Sequence, residues 1–181
     1  MGQGSSLIPF KEGKEGLKKA VQYDSDGNVV SCLFCSIARG EEKEKLIYED
    51  DTVVAFHPLD ISAQQHILVV PKQHIRNVDS VEPQDGDLLS HMYQVGDQIL
   101  RRNAPGPVLN RGLSYPRVFS HLFHVPPYNS VDHLHMHCME MPLLKPIHVF
   151  KYAAFAPWCK TYEKLAAQLA KAELSANDRS A

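Results

Sequence analysis

Between positions 132 and 138 the chain reads Asp-His-Leu-His-Met-His-Cys, with His133, His135 and His137 at every second position and Leu134, Met136 and Cys138 between or after them. Successive side chains of a strand point to opposite faces, so only an extended segment aligns residues two apart. In a helix such residues are turned from each other by about 200°. Residues 132–139 are therefore expected to form a strand whose Leu, Met and Cys side enters a core. Its other side then carries three imidazoles in a row, about 7 Å apart. A free imidazole has a pKa near 6.5 and is largely neutral at physiological pH, so one nitrogen offers a lone pair while a hydrogen bond at the other fixes the tautomer. Three uses fit such a row: packing on a sheet surface, metal binding at His-x-His spacing, and nucleophilic attack by a neutral ring.

The remaining sequence supplies a fold for that strand. Strand-like runs occur at 46–48, 52–56, 66–70 and 117–123, the third closed by Pro71 and the last joined to the histidine segment through the turn-rich stretch 125–130. Leu88, Leu89, Met92, Val95, Ile99 and Leu100 recur at steps of three and four, which predicts the main helix over 82–103. A short helix is expected over 33–38, stopped by Gly40, and an amphipathic one over 159–170, while 104–116 reads as a long loop. Antiparallel runs around one long helix, without alternating βαβ units, indicate an α+β domain with a mainly antiparallel five-stranded sheet, one long helix and a C-terminal helix. Residues 1–28 are expected to be a flexible arm with a helical turn around 16–23, residues 29–158 the domain, and residues 159–181 a C-terminal helix and polar tail.

At 181 residues there is room for one domain with a core. A formal charge of -2 excludes the bulk attraction typical of nucleic-acid binders, and no apolar run approaches the roughly 20 residues of a membrane span. Without a cleavable secretory segment, Cys32, Cys35, Cys138 and Cys159 are expected to be thiols or metal ligands in a reducing, cytoplasmic or nuclear setting. Met1-Gly2-Gln3-Gly4-Ser5-Ser6 fits the pattern for N-myristoylation at Gly2, which alone gives marginal, reversible membrane contact; a flexible leader is the alternative. Cys32-Leu33-Phe34-Cys35 has the gap that lets two thiolates share one tetrahedral zinc. A redox dithiol or two inert buried cysteines are the other readings. Cys138 is expected in the core, Cys159 at the surface, Trp158 as a packing anchor, and His91 and His148 facing solvent. His66 either points into a pocket or packs in the core.

His133-Leu134-His135-Met136-His137-Cys138 resembles the His-φ-His-φ-His-φ signature of the histidine-triad superfamily of nucleotide hydrolases and transferases. The resemblance runs from about Cys32 to Met139 and includes Cys-Leu-Phe-Cys, His66 to Ile75, and Phe123-His124-Val125-Pro126-Pro127. It is strongest with the histidine-triad nucleotide-binding (HINT) branch, especially its adenylylsulfatase-like and larger animal members. The resemblance implies that His135 attacks the α-phosphorus of a purine nucleoside monophosphate derivative and forms a nucleotidyl-histidine that water resolves. It implies that His137 bonds the phosphate or the leaving group, that the Ser130 hydroxyl and the backbone of Tyr128, Asn129 and Ser130 hold phosphate oxygens, and that the protein is a homodimer. Cys32, Cys35, His74 and His133 would form a structural zinc site. Members carry a ribose-binding acid two positions after the strand-ending Phe; after Phe56 this chain reads His57-Pro58-Leu59-Asp60, so Asp60 is the candidate replacement. His124 either takes the role of an Asn-Glu-Gly element that the chain lacks or packs. The implied activity is release of AMP from adenosine phosphoramidates or adenylyl sulfate. Dinucleoside polyphosphate hydrolysis, a nucleotide-binding regulatory role, and a histidine row that binds only metal are the alternatives.

Overall fold

The computed structural model describes residues 20–104, 106, 108–110, 113–115 and 117–177. Gly2 and most of the expected arm lie outside the described residues, as does the polar tail from 178 onward. Strands β1 (Val21–Tyr23) and β2 (Val29–Cys32) form a hairpin. Its turn is closed by the Asp24 carboxylate, which accepts from the backbone amides of Asp26 at 3.0 Å and Asn28 at 2.8 Å. Residues 21–23, expected at the end of a helical turn, are thus paired strand. Helix α1 (Leu33–Ala38) follows directly and stops at Gly40, whose φ of 72° is cheap only for glycine.

Strands β3 (Leu46–Glu49), β4 (Val53–Phe56) and β5 (His66–Pro71) form an antiparallel meander, with Asp50 capping the tight turn by accepting from the amides of Thr52 and Val53 at 2.8 Å each. Helix α2 (Gly86–Asn103) is entered through a 3-10 turn at Pro83–Asp85, so it begins four residues later than its apolar periodicity suggests. The expected loop 104–116 contains a small hairpin, β6 (Val108–Asn110) with β7 (Leu113–Tyr115). Strands β8 (Phe119–His124) and β9 (Met136–Glu140) come next, then helix α3 (Pro146–Lys151), for which no periodic signal was apparent. The C-terminal helix α4 (Tyr162–Asn177) is preceded by β10 (Cys159–Thr161), which pairs with β8.

The main sheet has the order β10-β8-β9-β5-β4-β3, antiparallel throughout, with six strands rather than five because β10 adds an edge. Its central strands are covered on both faces. Val53, Ala55, Ile67, Val69, Met136 and Cys138 meet Leu89, Met92 and Val95 of α2. The alternate residues Val54, Phe56, Leu68 and Val70 meet Phe34 and Ile37 of α1. Double coverage explains why β4 and β5 read as continuous apolar runs. Gly96 lets α2 approach β9 closely, since a Cβ there would collide with the Cys138 sulfur. Cys159, expected at the surface, is buried against Tyr152 and Leu122, and His148, expected in solvent, is buried with its Nδ1 donating to the Ser62 carbonyl at 3.2 Å. His91 is partly exposed and bonded to Asp50. Among the described residues no helix is long and apolar enough to cross a membrane.

Candidate active site

The histidine segment departs from a simple strand. Sheet pairing begins at Met136, so His133 and His135 precede the ladder, although side chains still alternate: Leu134, Met136 and Cys138 lie in the α2-side core, and the three imidazoles face α1 and α3. What replaces the missing ladder bonds is a set of local anchors. The amide of Leu134 donates to the Ile75 carbonyl at 2.6 Å, and His133 Nε2–H donates to the Pro71 carbonyl at 2.9 Å. Before them, the buried Asp132 carboxylate accepts from Arg76 at 2.6 Å, Asn77 at 3.2 Å, Asn129 at 3.1 Å and Tyr23 at 3.3 Å. Burial works against that carboxylate, but the bonds from Arg76, Asn77 and Asn129 outweigh it and hold its pKa below the ordinary value.

Ring tautomers follow from partners that can act in only one way. A carbonyl oxygen only accepts, so His135 Nδ1, 2.7 Å from the His133 carbonyl, carries the proton and Nε2 holds the lone pair. Burial drives the pKa of this ring down to about 4, which keeps it neutral and nucleophilic at pH 7. A second chain runs from the amide of Ser62, which donates to His66 Nδ1 at 3.2 Å. His66 Nε2–H must then donate to His137 Nδ1 at 2.9 Å, His137 Nε2–H to His124 Nδ1 at 3.2 Å, and His124 Nε2–H to the Lys151 carbonyl at 3.2 Å. An amide donor at one end and a carbonyl acceptor at the other orient three neutral imidazoles, each both donor and acceptor. His66 therefore lies behind His137 rather than in a pocket, and both nitrogens of His137 are engaged.

His135 and His137, with ring centroids 5.1 Å apart, form one wall of a cleft of ≈ 560 Å³. Leu33, Phe34, Ile37, Phe56 and Val131 make it largely apolar, while Ser130, Lys151, Tyr152 and Asp60 supply its polar groups. Phe34 stands edge-on to both His133 and His135, at 5.9 and 5.3 Å. Of the residues expected around a substrate, Ser130, His137 and Asp60 line the cleft. Asn129 and His124 instead border a hollow of ≈ 10 Å³ beside His135, about the least that can hold one water. Tyr128 does not line the cleft; it is exposed and leans on Trp158, which itself packs on Phe150. Sequence reasoning missed Asp132 and Arg76 as anchors and Tyr152 and Lys151 as lining residues. Asp132 sat beside the triad as a visible signal, whereas nothing local marks 151 and 152.

Cys32, Cys35, His74 and His133 converge on the far side of Phe34, with donor atoms all within 4.8 Å of one another. Cys32 Sγ lies 3.3 Å from His133 Nδ1, and Cys35 Sγ lies 3.5 Å from both His74 Nδ1 and His133 Nδ1. A tetrahedron with Zn–S near 2.3 Å and Zn–N near 2.0 Å has S···N edges of about 3.5 Å, so the donor set fits a divalent zinc ion. Both imidazoles present Nδ1 because Nε2–H is taken, by the Pro71 carbonyl for His133 and by the Tyr23 hydroxyl at 3.2 Å for His74. Burial raises the Cys35 thiol to about 12, a cost that a bound cation would offset.

Fold and site together define an α+β protein built around a neutral, oriented imidazole at the wall of an apolar cleft. The family described as "Scavenger mRNA decapping enzyme C-term binding" matches residues 31–149. The chain is 38% identical over 129 residues to the bifunctional adenosine 5'-phosphosulfate phosphorylase/adenylylsulfatase HINT4 of Arabidopsis thaliana, covering 70% of this chain and 82% of that protein. It is 34% identical to the adenosine 5'-monophosphoramidase HINT3 of Danio rerio, covering 60% of this chain and 64% of that one. Among solved structures, a histidine triad protein from Clostridium difficile superposes with a TM-score of 0.52 at 29% identity, covering 68% of this chain and 97% of that chain. The chain belongs to the histidine-triad superfamily, in its HINT branch.

The neutral relay makes stability depend on acid. Burial lowers His66 to about 3, whereas an unfolded ring titrates near 6.5. Between those values the unfolded chain binds more protons, so stability is fully present above pH 6.5 and falls as the pH drops toward 3. At pH 5 His66 alone costs about 2 kcal/mol, which lowers Tm by roughly 4–8 °C relative to pH 7.5. Thermal unfolding at the two pH values checks this, and an unchanged Tm would mean that the rings are not buried neutral.

Proposed function

We propose that the chain is a nucleotide hydrolase that releases AMP from adenosine 5'-phosphoramidates or adenylyl sulfate through a covalent nucleotidyl-His135. The observation that carries this reading is the Nε2 lone pair of a buried, neutral His135 at the wall of an apolar cleft with room for a nucleoside. The activities named for the HINT4 and HINT3 relatives support the same chemistry.

The base and sugar enter between Leu33, Phe34, Ile37 and Phe56, which exclude water and fix the α-phosphorus beside His135. Nε2 bonds to phosphorus as the bond to the leaving group breaks, an amine departing with a proton taken up from solvent and sulfate departing as its anion; water then bonds to phosphorus, loses its proton to solvent, and returns the P–N pair to Nε2, which gives AMP. The Ser130 hydroxyl, at the cleft wall, stabilises the charge that gathers on phosphate oxygens, while the Tyr128 amide is taken by the Val125 carbonyl at 2.9 Å. His137 Nε2–H is a further donor. Its 3.2 Å bond to His124 is long enough for a phosphate oxygen to compete for the same proton. Asp60 is bonded to Lys151 through one carboxylate oxygen at 3.1 Å, and its exposed second oxygen can accept from ribose hydroxyls.

We also propose that Cys32, Cys35, His74 and His133 hold one structural zinc ion. It supplies no step of the reaction; it ties the β1–β2 hairpin and α1 to the residue whose carbonyl orients His135. Metal analysis of the purified protein is expected to give about one zinc per chain, and the Cys32→Ser, Cys35→Ser double variant should lose it and melt at a lower temperature. An unchanged metal ratio in that variant would refute the site.

Intact mass after mixing with an adenosine phosphoramidate should show an added adenylyl group located on His135. His135→Asn should abolish the adduct and cut turnover by at least about 1000-fold while AMP still binds. Retained turnover in the variant would exclude His135 as the nucleophile.

A further inference from the structure

His66, His137 and His124 spend their ring nitrogens on one another and on the main chain, from the Ser62 amide to the Lys151 carbonyl, and a relay so ordered has no positive charge to offer an anionic leaving group that needs it. That need differs between substrates of the class proposed above. An amine leaves phosphorus only after taking up a proton, whereas sulfate or phosphate leaves as an anion and is helped by a fixed cation. The cations lining the cleft are Lys43 and Lys151, set among Glu42, Glu44 and Asp60.

Lys151 is the one connected to the histidines, through the Tyr152 ring and its own carbonyl. Its Nζ sits 5.2 Å from the centroid of the Tyr152 ring, and that ring lies 5.1 Å from His137, 5.2 Å from His124 and 5.5 Å from His66. Its backbone carbonyl receives the last proton of the imidazole relay, so the end of α3 is tied to that relay through its main chain. The ammonium also depresses the pKa of His66, His124 and His137, after the larger effect of burial on each. Burial works against its own charge, but Tyr152 and Asp60 outweigh that and raise its pKa, so it is a standing cation rather than a proton donor. Its counter-ion is weakly held: the Asp60 side chain is 62% exposed, and exposed ion pairs of this kind contribute little.

We propose that Lys151 is an anion subsite that exchanges Asp60 for the tetrahedral leaving group of an adenylyl substrate, sulfate or phosphate, and so selects such substrates over adenylyl amides. The inference rests on the nucleotidyl-histidine reading given above. In the first step the His135 Nε2 lone pair forms the bond to phosphorus while the P–O bond to the leaving group breaks. The electron pair departs with sulfate, which needs no proton and leaves against the Lys151 ammonium. In the second step water oxygen bonds to phosphorus, the P–N pair returns to Nε2, and the water proton passes to solvent.

The test measures kcat/KM for adenylyl sulfate, ADP and an adenosine phosphoramidate with the unaltered chain, Lys151→Met and Lys151→Arg, each checked by thermal melting. Losing a charge-assisted bond to the departing anion should lower the ratio of adenylyl sulfate to phosphoramidate kcat/KM by about tenfold to a hundredfold in Lys151→Met. Lys151→Arg, which keeps the charge, should restore most of it. A parallel loss on ADP assigns the subsite to tetrahedral oxyanions in general, and a loss confined to adenylyl sulfate assigns it to sulfate. An unchanged ratio, whether because both substrates suffer equally or because neither does, would overturn the subsite while leaving the His135 mechanism standing. Failure of the unaltered chain to turn over any of the three would instead overturn the hydrolase reading, and the subsite with it.

Discussion

The bond from His135 Nδ1–H to the carbonyl of His133 is the interaction on which the proposed chemistry of this chain depends. It lies within one strand-like segment, yet it decides which nitrogen of the central ring faces the cleft with a lone pair. An imidazole left to itself divides between two tautomers, and burial alone would only keep it neutral. A main-chain acceptor two residues back makes the choice permanent, because a carbonyl has no proton to give. The rigidity of that carbonyl is then worth as much as the ring it orients.

Much of the surrounding structure holds that short piece of backbone off the sheet. Residues 132–135 lie ahead of the ladder that begins at Met136, where the sheet itself would no longer fix them. Asp132 takes four side-chain donors, Leu134 bonds to Ile75, and the His133 ring is fixed by Pro71 on one side and the Cys32–Cys35 pair on the other. Underneath, Leu134, Met136 and Cys138 are packed without solvent against the face of α2. Such packing tolerates little displacement. The apolar residues between the histidines therefore keep the imidazole side in register as much as they fill a core.

The triad was readable because a period of two is a local property: alternation at 133–138 needs no knowledge of the fold to be seen. The same holds for α1, bounded by Cys32 and Gly40, and for the apolar face of α2. Convergence of Cys32, Cys35, His74 and His133 was reached through family likeness, and the distances among them now give it a geometric footing. What escaped was set by tertiary contact. Lys151 and Tyr152 reach the cleft because a short helix, itself without periodic signal, ends beside the histidine relay, its Lys151 carbonyl accepting from His124. Cys159 and His148 are ordinary polar or soft residues until β10 and α3 bury them. The His66–His137–His124 relay joins three segments far apart in sequence, and its direction depends on a backbone amide at 62 and a carbonyl at 151 that composition does not reveal. The ladder start at Met136 was likewise hidden, since an extended chain and a paired strand share one side-chain pattern.

These features give the cleft a division of labour. One ring is aimed by its neighbour's main chain, a second set of rings is kept neutral by mutual hydrogen bonds, and positive charge stays outside them on a side chain. The most direct measurement of this arrangement is nitrogen NMR of the protein labelled in its histidine rings at pH 7. The account predicts that His135 is neutral and protonated at Nδ1, with Nε2 showing the shift of a bare ring nitrogen. A proton found on Nε2 of His135, in either the other neutral tautomer or the imidazolium, would contradict it.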